Sequence, residues 1–218
     1  MKIVKPSFDV FEDLENPVYT AMIMRKLEMI GRTCYKSEEN ITNESASRFV
    51  QHLIKNGHEA MLEHASLTVR FIVDRGVSHE LVRHRMASFA QESTRYCNYS
   101  QDKFGNEITF VEPCFWTDEE HDLEYKAWKE MCQATEDLYM AFQQYDVKPE
   151  QARSILPNSL KTEIWMTANL REWRHVLKLR AAGTTGKPHP QMSEVMVPLL
   201  EYFKKYLPDV FGDIEVKA

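Results

Sequence analysis

Residues 66–73 alternate without a break. Leu67, Val69, Phe71 and Val73 fall on one side, and Ser66, Thr68 and Arg70 on the other. A period of two is that of a half-buried strand. Residues 162–168 repeat it, with Ile164, Met166 and Ala168 on one face. A chain with two such strands must build a sheet. Ile3–Val4 and 108–111 suggest short further strands. The rest of the pattern is helical. Residues 18–30 carry Met22, Leu27 and Ile30 at helical spacing. Phe49, Val50, Leu53 and Ile54 do the same, and Gly57 is placed to end that helix. Thr117-Asp118-Glu119-Glu120 has the form of a capping box. It opens a helix to about Gln144, with Leu123, Trp128, Met131, Leu138 and Phe142 along its apolar face. Pro149 starts a short helix. Asn169 caps another, which runs through Trp173, Val176 and Leu177 to Arg180. A last helix spans roughly 191–206, and Pro198 is expected to kink it. The fold class is α+β, mostly helical, as a single domain over residues 1–218.

A cationic island follows the first long strand. Ser78 is predicted to cap a short helix over 79–82. After it comes Arg83-His84-Arg85-Met86-Ala87-Ser88-Phe89-Ala90-Gln91-Glu92-Ser93-Thr94-Arg95-Tyr96, with a single carboxylate, Glu92. The chain as a whole is acidic, with a formal net charge of -6. Two like charges roughly 6 Å apart repel by about 3 kcal/mol at an effective dielectric near 20. The arginines therefore either point apart into water or enclose something negative. Arginine suits planar, bidentate capture of phosphate. Placed after a helix end, the stretch has the character of a binding loop on a rigid scaffold.

Composition excludes several classes. The acidic balance argues against nucleic-acid binding, which needs a broad basic face. No apolar run reaches the ~18 residues of a membrane span, and Met1-Lys2-Ile3-Val4-Lys5-Pro6 lacks the apolar core of a signal peptide. A cytoplasmic location is the expectation. Cys34, Cys97, Cys114 and Cys132 form no C-x-x-C pair, so neither a zinc site nor a disulfide framework is expected. Cys97, just past the basic stretch, is read as an ordinary thiol rather than a nucleophile. Neither G-x-G-x-x-G nor a P-loop occurs, so any dinucleotide is held without those turns. His58-Glu59-Ala60-Met61-Leu62-Glu63-His64 looks like a metalloprotease motif, but its histidines are six apart instead of four. No metal is expected there. It is a polar loop or a source of polar groups for a ligand.

A second basic cluster, Arg171, Arg174, His175, Lys178 and Arg180, lies on one helix. It is either a solvated face or a second binding surface. Arg-His-Arg-x-x-Ser at 83–88, followed after four residues by Ser-x-Arg at 93–95, resembles the signature of flavin-dependent thymidylate synthases, the ThyX family. Gly57-His58-Glu59, Ala152 to Pro157, Asn169-Leu170-Arg171, Arg174-His175, Leu179-Arg180 and His189-Pro190-Gln191 match that family in order along most of the chain.

The resemblance implies a ThyX-like fold with a small, mainly antiparallel sheet. It implies thymidylate formation from deoxyuridylate (dUMP), with 5,10-methylenetetrahydrofolate as carbon donor and NADPH as reductant through FAD. Arg83, His84, Arg85, Gln91, Asn169, Arg171 and His175 would then hold FAD. Glu80, Arg83, Gln91, Glu92, Ser93, Thr94, Arg95, Arg153 and Arg180 would hold dUMP. Arg180 would also stabilise negative charge on the uracil ring, and His58 would lie near folate or flavin. A homotetramer with shared active sites is implied as well. Ala90, Glu80 and Ala60 depart from residues common in the family. The two alanines each remove a possible flavin hydrogen bond, worth about 0.5–1.5 kcal/mol net. The alternatives are a nucleotide- or anion-binding protein without catalysis and a nucleic-acid-binding regulator.

Overall fold

The computed structural model describes residues 1–216. About half of these are helical. In chain order the elements are β1 (Lys2–Val4), β2 (Ser7–Val10), α1 (Pro17–Thr33), α2 (Ser45–Lys55), β3 (Ser66–Asp74), α3 (Arg75–Leu81), β4 (Ser88–Gln91), β5 (Thr109–Val111), α4 (Asp122–Gln144), α5 (Pro149–Ala152), β6 (Lys161–Asn169), α6 (Leu170–Arg180), α7 (Pro190–Tyr206) and α8 (Pro208–Phe211). One sheet has the strand order β2-β3-β6-β4, and β1 pairs with β5 in parallel. The class is α+β, as the periodicities indicate. The chain clusters into two compact units. One comprises Met1–Ser7, Phe71–Arg83 and Phe89–Trp165; the other comprises Phe8–Arg70, His84–Ser88 and the residues from Met166 onward.

In the second unit, β3 runs antiparallel to β2 and to β6. The Phe11 amide donates to Thr68 O, the Leu170 amide donates to Ala65 O, and the Thr68 and Thr167 hydroxyls meet at 3.0 Å. Leu67 and Val69 are fully buried, as alternation requires. They share a core with Leu27, Leu62, Trp173, Val176, Leu177, Leu199 and Phe203. Full burial of side chains of this size contributes ~1.5–3 kcal/mol each. The Trp173 ring meets Phe203 edge-on at 5.6 Å, and its indole N–H donates to Leu67 O at 2.9 Å. Helix α2 stops where expected. The His58 amide donates to Leu53 O and the Gly57 amide to Ile54 O, with Gly57 at φ +71°. This is the Schellman pattern. A Cβ at Gly57 would touch nothing within 4 Å, so the cost of Gly57→Ala is conformational alone. Chemical denaturation should show a loss of about 1–2 kcal/mol.

The first unit packs α4 over the β1–β5 pair. Its core is Tyr99, Ile108, Phe110, Trp128, Cys132, Tyr139, Ala152 and Leu160. Here three local expectations give way. Ser78 does not cap a helix: Asp74 does, its carboxylate accepting from the Val77 amide at 2.7 Å, so α3 begins directly after β3. Ser78 is buried inside α3. Thr117 is not the cap of α4. Asp118 accepts from the His121 amide and opens a one-turn 3-10 helix, Glu119–His121, ahead of Asp122. The buried face of α4 is Trp128, Cys132, Glu136 and Tyr139. Leu123, Met131 and Leu138, expected on it, are exposed. Glu136 is the reason, because its carboxylate accepts from the Ile108 amide at 2.7 Å and places a charged residue in the buried stripe. On α1, Met22 is likewise exposed, and Ile23, Met24, Leu27 and Gly31 face inward. Strand β2 is an addition to the strands expected from the periodicity. Helix α7 carries Pro198 internally. Among the described residues no helix is long and apolar enough to cross a membrane.

Candidate functional site

Helix α6 organises the first site. Asn169 caps it, Oδ1 accepting from the Glu172 amide at 2.8 Å. Leu170, Trp173, Val176 and Leu177 anchor its inner face. The opposite side presents Arg171, Glu172, His175 and Lys178. These four, with Asn169, Met86, Glu59 and Glu63, line a cleft of about 440 Å³. Asn169, Arg171 and His175, drawn from the resemblance, are thus brought together. Arg171 Nη1 pairs with Glu63 at 2.5 Å, with both side chains about half exposed. An exposed pair of this kind is worth ~0–1 kcal/mol, so little free energy holds Arg171 on Glu63. Glu59 is engaged by Arg174 at 3.1 Å and by Lys178 at 3.7 Å. The cleft thus sets the donors and cations of α6 beside three carboxylates, Glu59, Glu63 and Glu172, of which Glu59 and Glu63 are already paired. Lys178 and Met86 are lining residues that the sequence left unassigned.

Arg174, grouped with this basic face, is not part of it. It is 1% exposed and lies inside the unit. Its guanidinium forks onto Asp213 at 2.6 and 2.7 Å and also donates to Glu59 and to Val210 O.

The Arg-His-Arg motif leaves α3 through a turn and enters β4, so it is loop and strand as expected. Arg83 and Arg85 are exposed, and His84 is buried. Its Nε2 accepts from Arg180 Nε at 3.2 Å, and its Nδ1 lies 3.6 Å from Glu172 Oε1. The His175 ring stands edge-on to it at 6.0 Å. Burial first, then the charges of Arg180 and His175, push the imidazole pKa down to about 4, so the ring is neutral near pH 7. Burial also holds the Glu172 carboxyl above its usual range, opposed by His175. Donor atoms of His84, Glu172 and His175 all lie within 4.8 Å of one another. A metal ion among them would face the fixed guanidinium of Arg180, which opposes a dication. His58 is exposed, just ahead of the 3-10 turn Glu59–His64.

The other unit holds a second concavity. Arg75, His79, Thr94, Arg153, Ser154, Leu156, Pro157, Asn158 and Leu160 line a pocket of about 220 Å³. Two arginines and a histidine face it, and no carboxylate does. Thr94 and Arg153 were expected at a binding site; Arg75 and His79 were not. They are i, i+4 partners on α3, a spacing visible only once that helix is known to start at residue 75.

The loop after β4 is tightly held. Gln91 Nε2 donates to Ser78 Oγ at 2.9 Å and to Thr162 Oγ1 at 3.1 Å. Glu92 accepts from Lys161 at 2.8 Å and from Tyr99 at 2.9 Å, one bond on each carboxylate oxygen. Arg75 Nη1 donates to Glu92 O at 3.3 Å. Ser93 Oγ accepts from the Arg95 amide at 3.3 Å, and Arg95 approaches Glu150 at 3.9 Å. Glu80 lies half-buried on α3. Burial, then the Glu92 charge, raises the Cys97 thiol above its ordinary pKa. It is a protonated thiol at neutral pH, and all four cysteines are free.

The chain matches a family model over residues 19–209, that of the thymidylate synthase complementing proteins. It is 31% identical over 206 residues to a flavin-dependent thymidylate synthase of Corynebacterium efficiens, covering 88% of this chain and 80% of that one. A flavin-dependent thymidylate synthase of Pyrococcus furiosus is 35% identical over 170 residues, covering 76% and 67%. The fold is similar to that of the UMP/dUMP methylase PolB from Streptomyces cacaoi, crystallised with 5-Br dUMP, with a TM-score of 0.76, 19% identity and coverage of 97% and 96%. Helix α6, the Arg-His-Arg turn and the extent of these matches agree: the chain belongs to the thymidylate synthase complementing protein family, that of the flavin-dependent thymidylate synthases.

Proposed function

We propose that this protein is a flavin-dependent thymidylate synthase acting as one catalytic domain over residues 1–218. It converts dUMP to dTMP, takes the one-carbon unit from 5,10-methylenetetrahydrofolate and draws reducing equivalents from NADPH through FAD. One observation carries this reading. Asn169, Arg171 and His175, which the resemblance assigns to the flavin, line a single cleft of about 440 Å³.

Asn169, Arg171 and His175 hold FAD, joined by Arg83, Arg85 and Gln91. When bound, the flavin supplies the hydride chemistry, and the protein supplies orientation and electrostatics. Thr94 and Arg153, with Glu80, Gln91, Glu92, Ser93, Arg95 and Arg83, serve dUMP. The pocket of Arg75, His79 and Arg153 is cationic and free of carboxylate lining, which suits a phosphate monoester. Gln91 and Glu92 act mainly by holding the loop, since their side chains are engaged by Ser78, Thr162, Lys161 and Tyr99. Arg180 stabilises charge developing on the uracil ring, an effect of the oxyanion-hole kind. Ser93 serves as a hydrogen-bond donor. His58 lies near folate or flavin. The location is cytoplasmic and the assembly a homotetramer, for which exposed Val18, Met22 and Met29 on α1 offer apolar surface.

The first test is the visible spectrum of the purified protein after addition of FAD and desalting. A retained flavin spectrum, bleached by NADPH without oxygen, is expected. Retention without NADPH oxidation would favour a non-catalytic nucleotide-binding protein, and no retention at excess FAD would remove the flavin assignment. In titration, Arg83→Ala should weaken nucleotide binding by 10-fold or more, the equivalent of about 1.4 kcal/mol. Unchanged affinity would count against the motif's role.

A further inference from the structure

We infer that His84 is a positioning residue for Arg180, and that Glu172 in turn fixes the orientation of His84. The inference rests on the proposed role of Arg180 in the reaction.

His84 is 6% exposed, and protein groups face both of its ring nitrogens. Arginine only donates. The 3.2 Å contact from Arg180 Nε therefore requires an unprotonated Nε2 on His84. The ring proton must then sit on Nδ1, the nitrogen that faces Glu172 Oε1 at 3.6 Å. That separation is beyond a hydrogen bond, but the carboxylate still favours the N–H end of the ring. The Glu172 backbone is itself held by the Asn169 cap. The result is a chain of orientation, from Asn169 to Glu172, to His84, to Arg180. The depressed pKa of the imidazole accords with this order, because a protonated ring would offer Arg180 a second donor in place of an acceptor.

The effect falls on the guanidinium. Nε lies in the guanidinium plane, so one bond there restricts the rotation of the whole fork. Arg180 is the last residue of α6. The middle residue of Arg-His-Arg is thus a neutral acceptor between two exposed cations. With Nε2 taken by Arg180 and the ring buried, the His84 side chain is turned to Arg180, in contrast to the direct flavin contact that the resemblance implies.

Two measurements test this. The first is imidazole 15N NMR of the wild-type protein, with His84 assigned by its absence in His84→Gln. A pyridine-like Nε2 and a protonated Nδ1 are expected, with a shift of Nε2 in Arg180→Ala. An Nε2–H tautomer, or a His84 resonance indifferent to Arg180→Ala, overturns the inference whatever the activity. The second is kinetic. His84→Leu should lower kcat about 100-fold, the scale set by misplacing a catalytic group by 1 Å. FAD affinity and the KM for dUMP should stay within about 3-fold. His84→Gln, whose amide oxygen can accept where Nε2 does, should recover at least about 10-fold, and Glu172→Gln should lie between. His84→Leu combined with Arg180→Ala should be no slower than Arg180→Ala alone. Parallel loss of FAD affinity and kcat, or additive losses in the double variant, would make His84 a ligand contact. Full turnover by Arg180→Ala with the expected NMR result would instead sink the proposed role of Arg180 and leave the pairing intact.

Discussion

Arg180→Ala is expected to fold, bind its ligands and form almost no thymidylate. The kcat should fall about 10²–10³-fold, the loss found when one preorganised donor to a developing anion is removed. The uracil C5 is a weak nucleophile, and a fixed guanidinium beside the ring lowers the cost of its charge build-up. Fixation matters as much as charge: Arg180 is held by His84 before any substrate arrives. Stability should barely change. The residue is half-buried at the C-terminal turn of α6, where a cation contributes ~0.3–1 kcal/mol through the helix dipole. In a chain of this size that is a shift in Tm of about 4 °C or less. Product chromatography beside calorimetry separates the two effects. Full turnover by the variant would remove Arg180 from the mechanism, and a large fall in Tm would make its role structural.

Arg174→Ala should do the reverse, costing about 3–5 kcal/mol of stability and lowering Tm by about 6–20 °C. Arg174 ties two segments to α6, the turn at Glu59 and the stretch from Val210 to Asp213. Its fork meets both oxygens of Asp213, one nitrogen also serves Val210 O, and Nε reaches Glu59. Truncation leaves a cavity and a carbonyl without its donor. Arg174→Lys should recover only part, since an ammonium cannot make the planar double contact. The loss should shrink in acid. The hydrogen bond from Arg174 is the largest cause holding the Asp213 carboxyl below its usual range. A depressed carboxylate stabilises above its unfolded pKa, near 3.9, and that contribution is lost as pH falls through the folded value. The gap between wild type and variant should therefore narrow as pH falls below about 4. Urea titrations from pH 7 to pH 3 check this, and a gap that widens in acid would contradict it.

Glu172 and Arg75 show what pattern reading leaves out. Glu172 looks like an ordinary first-turn acid, and only the approach of His84 makes it part of a site. Arg75 looks like a loop residue while Ser78 is taken as the cap. With Asp74 as the cap, it becomes the first residue of α3, its side chain turned toward Thr162 and the pocket of Arg153. Asp and Ser are near-equal caps, so the local signal does not choose between them. The tertiary structure does, by burying Ser78 against Gln91.

The sequence by itself determined the strand alternation of β3 and β6, the Asn169 cap, the Gly57 stop and the grouping of cations around 83–95 and on α6. Each depends on periodicity, or on a side chain reaching a backbone group within about a turn, and such local preferences hold in nearly any context. Only the tertiary structure decided that Arg174 is an internal tie and not a ligand contact, and that Glu136 turns the buried face of α4. It alone set His84 against Arg180, and Arg75 and His79 beside Arg153. These depend on groups far apart in sequence. Whether a charge is solvated, paired or aimed at a ligand is set by which distant atoms surround it, and a linear pattern holds no record of them.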